Sequence, residues 1–145
     1  AGFMRVLTAG FTAHYQGRML NIHPSLLPKF RGLHTHEPAI AAGETGHGAS
    51  IHFVTAELDG GPVIVRARVP VLSDDDPDTL AARALAQEPR LYPLAIRWFA
   101  EGRLRLGGEQ VWFDGKPLKE PLWLDSETHH TSLGSQSSSR ICSRR

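Results

Sequence analysis

Residues 21–36 read Asn-Ile-His-Pro-Ser-Leu-Leu-Pro-Lys-Phe-Arg-Gly-Leu-His-Thr-His, and this stretch decides the fold. Met19, Leu20 and Ile22 make a short, nearly continuous apolar run, the pattern of a strand covered on both faces. Pro24 and Pro28 stop any continuation. The strand therefore delivers a carboxamide, Asn21, and an imidazole, His23, to its carboxyl end, where open α/β sheets place their chemistry. Two residues apart on a strand, the two side chains point to the same side. Together they supply a neutral donor and a titratable group.

Before this strand, residues 2–7 read as an apolar strand exit and 9–15 as a short helix closed by Gly17. After it, Leu27-Pro28 is a candidate cis bond, and Thr35 caps a helix reaching about Ala42, with Pro38 tolerated in its first turn. Residues 47–55 alternate as a strand does, with Ala49, Ile51 and Phe53 on one side and Ser50, His52 and Val54 on the other. Residues 62–71 read as a second strand, joined to the first by an acid- and glycine-rich loop, 56–61. Asp74-Asp75-Asp76-Pro77 marks a helix start. The pattern predicts one helix to about Phe99 with Leu80, Ala84, Leu91, Ala95 and Trp98 inward. Pro89 falls inside it, where proline removes a hydrogen bond and clashes with the Leu85 carbonyl, at about 3 kcal/mol or more. A small hairpin around Gly107-Gly108 follows. From Ser126 the chain is rich in Ser and Thr and ends on basic residues, so 126–145 is expected to be a disordered tail.

The composition narrows the class. The 145 residues are 41% apolar with a net charge of +1, the size and balance of one globular domain, taken as 1–125. Sixteen basic and fifteen acidic residues without a concentrated basic face argue against a nucleic-acid partner. Cys142 is the only cysteine, which excludes an internal disulfide and fits a reducing compartment. No apolar run approaches the ~20 residues that span a bilayer, and no signal-peptide pattern opens the chain. A cytoplasmic protein with no membrane partner is the expectation.

Asn21-x-His23-Pro24-Ser25-Leu26-Leu27-Pro28, then Gly32 and Leu58-Asp59-Gly60-Gly61-Pro62, resembles the fingerprint of the folate-dependent formyltransferases. The runs 32–36 and 52–55 are similar, more narrowly, to the phosphoribosylglycinamide formyltransferases. The resemblance spans residues 1–117 and starts in mid-fold. It implies the carboxyl-terminal part of a doubly wound, mostly parallel α/β sheet lacking its amino-terminal strands, with a carboxyl-terminal hairpin. The family's glycine-containing phosphate loop has no counterpart in these residues, so the chain alone is expected to be weakly active or inactive. An unpaired strand edge would favour self-association.

The resemblance further implies transfer of a formyl group from 10-formyltetrahydrofolate to the amine of glycinamide ribonucleotide. Such a transfer needs an oxyanion stabilised, a proton taken from the amine, and a proton given to the departing folate nitrogen. Asn21 can donate to the formyl oxygen, His23 can donate there or move protons, and Asp59 can hold His23 charged and organise a water. Backbone at Met4, Arg5, Val6 and Leu7 and at Thr55, Ala56, Glu57 and Leu58 is implied to face the folate, and Glu88 the ribose of the nucleotide. Ser25, His34 and His36 are expected to support His23. His34-x-His36 invites a metal reading, but no cysteine is near and no His-Glu-x-x-His pattern completes a zinc site, so no metal is expected. A formyltetrahydrofolate hydrolase, a formyltransferase acting on tRNA or a sugar, and a non-catalytic folate-binding remnant remain as alternatives.

Overall fold

A computed structural model describes residues 5–124. Met4 and the tail expected at 126–145 lie outside them. The central strand is β2 (Gly46–Phe53), whose residues 47–53 are all buried. On one side it pairs antiparallel with β1 (Leu20–His23), and on the other antiparallel with β3 (Val63–Pro70). A late strand, β7 (Leu122–Leu124), which the sequence pattern does not announce, joins the far edge parallel to β3. The order is β1-β2-β3-β7. The fold is thus mixed α/β, but the mostly parallel sheet expected is not what these residues form: two of the three pairings are antiparallel. The β2–β3 loop is too short for the crossover that parallel neighbours need, so the chain turns straight back.

Register divides the sheet into a dry and a polar face. Leu20 pairs with Phe53 and Ile22 with Ile51, and these apolar residues meet Leu91 and Ala95 in the main core. Burying each large side chain contributes roughly 1.5–3 kcal/mol. Asn21 pairs with His52 and His23 with Ser50 on the opposite face. The dry face holds the sheet in place, and the polar face carries the chemistry.

Two helices stand where one was expected. α3 (Pro77–Leu85) is opened by a capping box, with the Asp76 carboxylate accepting from Thr79 N and the Thr79 hydroxyl accepting from Asp76 N. α4 (Glu88–Ala100) follows after Ala86 and Gln87. The break places Pro89 in the first turn of α4, where a missing N–H costs nothing, instead of mid-helix against the Leu85 carbonyl. The apolar stripe survives the break in two parts: Leu91 and Ala95 join the main core, while Leu80 and Ala84 pack on Val69 and Ala39.

The remaining elements frame the site. α1 (Ala9–His14) is capped by Thr8, and α2 (His36–Ala41) follows Thr35. The strands β4 (Leu104–Gly107), β5 (Gln110–Phe113) and β6 (Lys116–Pro117) form a second, antiparallel sheet. Among the described residues no helix is long and apolar enough to cross a membrane.

Candidate active site

Because β1 and β2 run antiparallel, their carboxyl ends, His23 and Phe53, lie at opposite ends of the pair. Asn21 and His23 therefore come from the carboxyl end of one strand, and Asp59 from a loop that starts at the opposite end of the pair. The loop 54–62 turns back over the polar face, and Asp59 (φ 48°) places its carboxylate beside two imidazoles. Its Oδ2 is 3.4 Å from His23 Nδ1 and its Oδ1 is 3.7 Å from His52 Nε2, all three side chains being 10% exposed or less. Gly61 makes this return possible: a Cβ there would sit 1.7 Å from the Phe53 carbonyl oxygen.

His52 is the residue that sequence reasoning passed over as a site member. Its Nδ1 lies 2.9 Å from the Phe53 carbonyl, which can only accept, so that nitrogen carries the proton. Burial lowers its pKa, which keeps the ring neutral and leaves Nε2 as an acceptor. Asn21 Nδ2 lies 3.4 Å from that nitrogen, a long contact that turns the carboxamide N–H toward the ring. The second amide N–H of Asn21 has no partner among the described residues. The alternation along β2 already put His52 on the face of Ser50, and this was the available signal.

The segment after β1 holds the other half of the site. His23 Nε2–H donates to the Phe30 carbonyl at 2.7 Å, and Gly32 N–H donates to Asp59 Oδ2 at 2.8 Å. Both nitrogens of His23 therefore have protein partners. As a donor to a formyl oxygen, His23 would first have to release Phe30. Ser25 is fully buried and ties this segment down: its N–H donates to the His23 carbonyl and its hydroxyl to the Lys29 carbonyl. Ser50, beneath it, accepts from Leu27 N and donates to the Ser25 carbonyl.

The expected supporting histidines separate. His36 opens α2 and its Nδ1 is 3.0 Å from His47 Nε2, anchoring the helix to β2. His34, expected to hydrogen-bond around His23, is exposed at φ 57° and makes no hydrogen bond or ion pair among the described residues. Glu88 is the first residue of α4 and likewise makes no such bond among the described residues. Among those residues no three His, Cys, Asp or Glu side chains are grouped as metal ligands are.

A cleft of about 580 Å³ opens against the return loop, between Thr12 of α1, Gln16 just after it, Thr55, Ala56 and Glu57 of the loop, and Glu109 at the β4–β5 turn, with Asp59 itself outside the lining. Leu58 is exposed and does not line it. Arg5 and Val6 are exposed and Leu7 partly buried, also outside its lining. Three of the four expected folate-facing residues after β2 border the cleft, and the described ones before α1 do not.

Residues 1–96 match the formyl transferase family. The chain is 57% identical over 118 residues to phosphoribosylglycinamide formyltransferase of Escherichia coli, an alignment covering 81% of this chain and 56% of that protein. A structure of phosphoribosylglycinamide formyltransferase in complex with CHES from Coxiella burnetii superposes with a TM-score of 0.81 at 54% identity, over 86% of this chain and 59% of that one. A formyltetrahydrofolate deformylase from Pseudomonas syringae superposes with a TM-score of 0.71 at 28% identity, over 77% and 37%. The chain thus spans little more than half the length of these two phosphoribosylglycinamide formyltransferases. The match over residues 1–96, with the Asn21–His23 strand and the Asp59 loop inside it, shows that the chain belongs to the formyl transferase family.

Proposed function

We propose that this chain serves the transfer of a formyl group from 10-formyltetrahydrofolate to the amine of glycinamide ribonucleotide. The observation that carries the reading is the approach of Asp59 Oδ2 to 3.4 Å from His23 Nδ1, with Asn21 on the same sheet face. In the reaction the amine nitrogen attacks the formyl carbon, the carbonyl oxygen gains charge, and the folate nitrogen leaves as it takes a proton. The free N–H of Asn21 stabilises the oxygen as charge develops. His23 and Asp59 pass the proton from the amine toward the folate nitrogen, through a water where the gap is too long for direct transfer. The cleft bordered by Thr55, Ala56 and Glu57 receives the folate, and Glu88 the nucleotide. The neutral His52 fixes the orientation of Asn21. Residues 1–125 form part of one formyltransferase domain with a doubly wound sheet, working in the cytoplasm without a metal.

Identity of 57% with a glycinamide ribonucleotide enzyme against 28% with a deformylase favours transfer over hydrolysis. The test replaces the matching 118-residue segment of the Escherichia coli relative by that of this chain and analyses products from 10-formyltetrahydrofolate and glycinamide ribonucleotide. Formylated nucleotide in step with folate release is expected. Free formate, whether or not the nucleotide is present, would replace the reading by a hydrolase.

A further inference from the structure

Residues 30–32 touch both members of the His23–Asp59 pair. The Phe30 carbonyl holds His23 Nε2 at 2.7 Å and the Gly32 amide holds Asp59 Oδ2 at 2.8 Å. Phe30 (φ 54°) and Gly32 (φ 85°) are both left-handed, which turns one carbonyl and one amide of a three-residue span toward the same site. A non-glycine residue in that conformation is held only by its surroundings. Between them Arg31 reaches across to Glu57, with Nη1 2.5 Å from Oε1. Glu57 stands two residues before Asp59 in the return loop. The segment that follows His23 is thus joined to the return loop at two successive residues, Arg31 and Gly32, and one of the two links is an ion pair between exposed side chains.

We propose that Arg31 and Glu57 form a positioning clasp that sets the His23–Asp59 alignment, and that it does so by holding residues 30–32 against the return loop. The clasp deepens the functional reading above and rests on it for its effect on turnover. Its effect on alignment is independent of any reaction. Nothing in the clasp touches the reacting atoms. Its contribution is to fix two backbone groups that do touch the site side chains. An exposed ion pair of this kind shifts a local equilibrium by about two- to fivefold, and salt weakens it.

The experiment compares Arg31→Ala, Glu57→Ala, the conservative Arg31→Lys and the reciprocal Arg31→Glu/Glu57→Arg pair in the 145-residue chain, with amide hydrogen exchange at Gly32 as the first readout. Either alanine variant is expected to speed Gly32 exchange about two- to fivefold. Arg31→Lys and the reciprocal pair are expected to return it toward the parent value, while exchange in the β2 core stays unchanged. The second readout is kinetic, in the chimeric enzyme: kcat falls by a similar factor in Arg31→Ala and recovers in Arg31→Lys, with the KM for folate moving less, because Arg31 lies outside the cleft lining whereas Glu57 is part of it. Unchanged Gly32 exchange in both alanine variants would overturn the clasp even if the chimera is active. Altered exchange in a chimera that yields only formate would leave the clasp standing and remove the transferase reading.

Discussion

His36 Nδ1 lies 3.0 Å from His47 Nε2, with the rings edge to face at 5.1 Å, and the pair sits behind the loop that supports His23. The Pro24 carbonyl near His47 favours a proton on its ring, but less than burial opposes it. Burial, followed by the charge of His36, pushes His47 down to about 4, and burial, followed by the charge of His23, lowers His36. The folded state therefore favours the neutral rings. Stability from His47 is present above the unfolded pKa of about 6.5 and is lost as pH falls toward 4, because the unfolded chain then binds the extra proton. Between pH 7 and 4.5 the loss from His47 is on the order of 2–3 kcal/mol. Urea unfolding at both pH values, on the parent and on His47→Gln, reads it. Equal pH dependence in the two proteins would contradict the argument.

Asp59→Asn separates charge from shape. The asparagine oxygen can still accept from Gly32 N, so the return loop keeps its anchor while His23 loses its anionic neighbour. In the chimeric enzyme kcat is expected to fall on the order of a hundredfold or more, the scale of lost proton transfer. Folate affinity should change only a few fold. Equal losses in turnover and folate binding would assign Asp59 to binding.

Much of this arrangement was legible before the coordinates. The Asp76-Pro77 start, the paired strands β2 and β3 and the left-handed Gly17 are all local patterns with local causes, whereas the grouping of Asn21 and His23 with Asp59 came only from the family resemblance. What stayed hidden depends on partners distant in sequence. The antiparallel register that sets Asn21 against His52 is fixed by pairing across 31 residues, and β7 adds to β3 from more than fifty residues away. Pro89 was visible, but whether the chain would bend around it or end a helix was decided by Leu80 and Leu91 entering two separate cores. The left-handed Phe30 and His34 carry no signal in residue type, since their conformation is imposed by the segment they belong to.

Gly61→Ala tests the backbone approach that returns Asp59 to the site. Its added Cβ would fall 1.7 Å from one backbone oxygen and 2.9 Å from the attached carbon, neither of which can swing aside as a side chain can. The loop must shift, at about 1–3 kcal/mol or more of stability. Gly10→Ala is the control: nothing lies within 4 Å of its Cβ, and alanine within α1 is expected to stabilise by about 0.5–1 kcal/mol. Denaturant midpoints compare the two. A Gly61→Ala protein as stable as its parent would mean that the close approach to Phe53 is not required.

Ser50→Ala removes the peg under the segment that holds His23. The hydroxyl is fully buried, accepts from Leu27 N at 3.0 Å and donates to the Ser25 carbonyl at 2.7 Å. Alanine fits the space but leaves a backbone donor and acceptor without partners, at roughly 1–3 kcal/mol. The consequence is local before it is global, because both orphaned groups belong to residues 24–34 while β2 keeps its ladder. Loosening that segment frees the Phe30 carbonyl from His23 Nε2 and the Gly32 amide from Asp59. The Leu27 amide should exchange at least several-fold faster, by the same factor as the bond it loses, with the β2 amides nearly unaffected. Turnover of the chimeric enzyme should fall at temperatures where the variant remains folded. If Leu27 exchange and turnover both match the parent, the segment is held by its prolines and Ser25 alone, and Ser50 has no part in aligning the site.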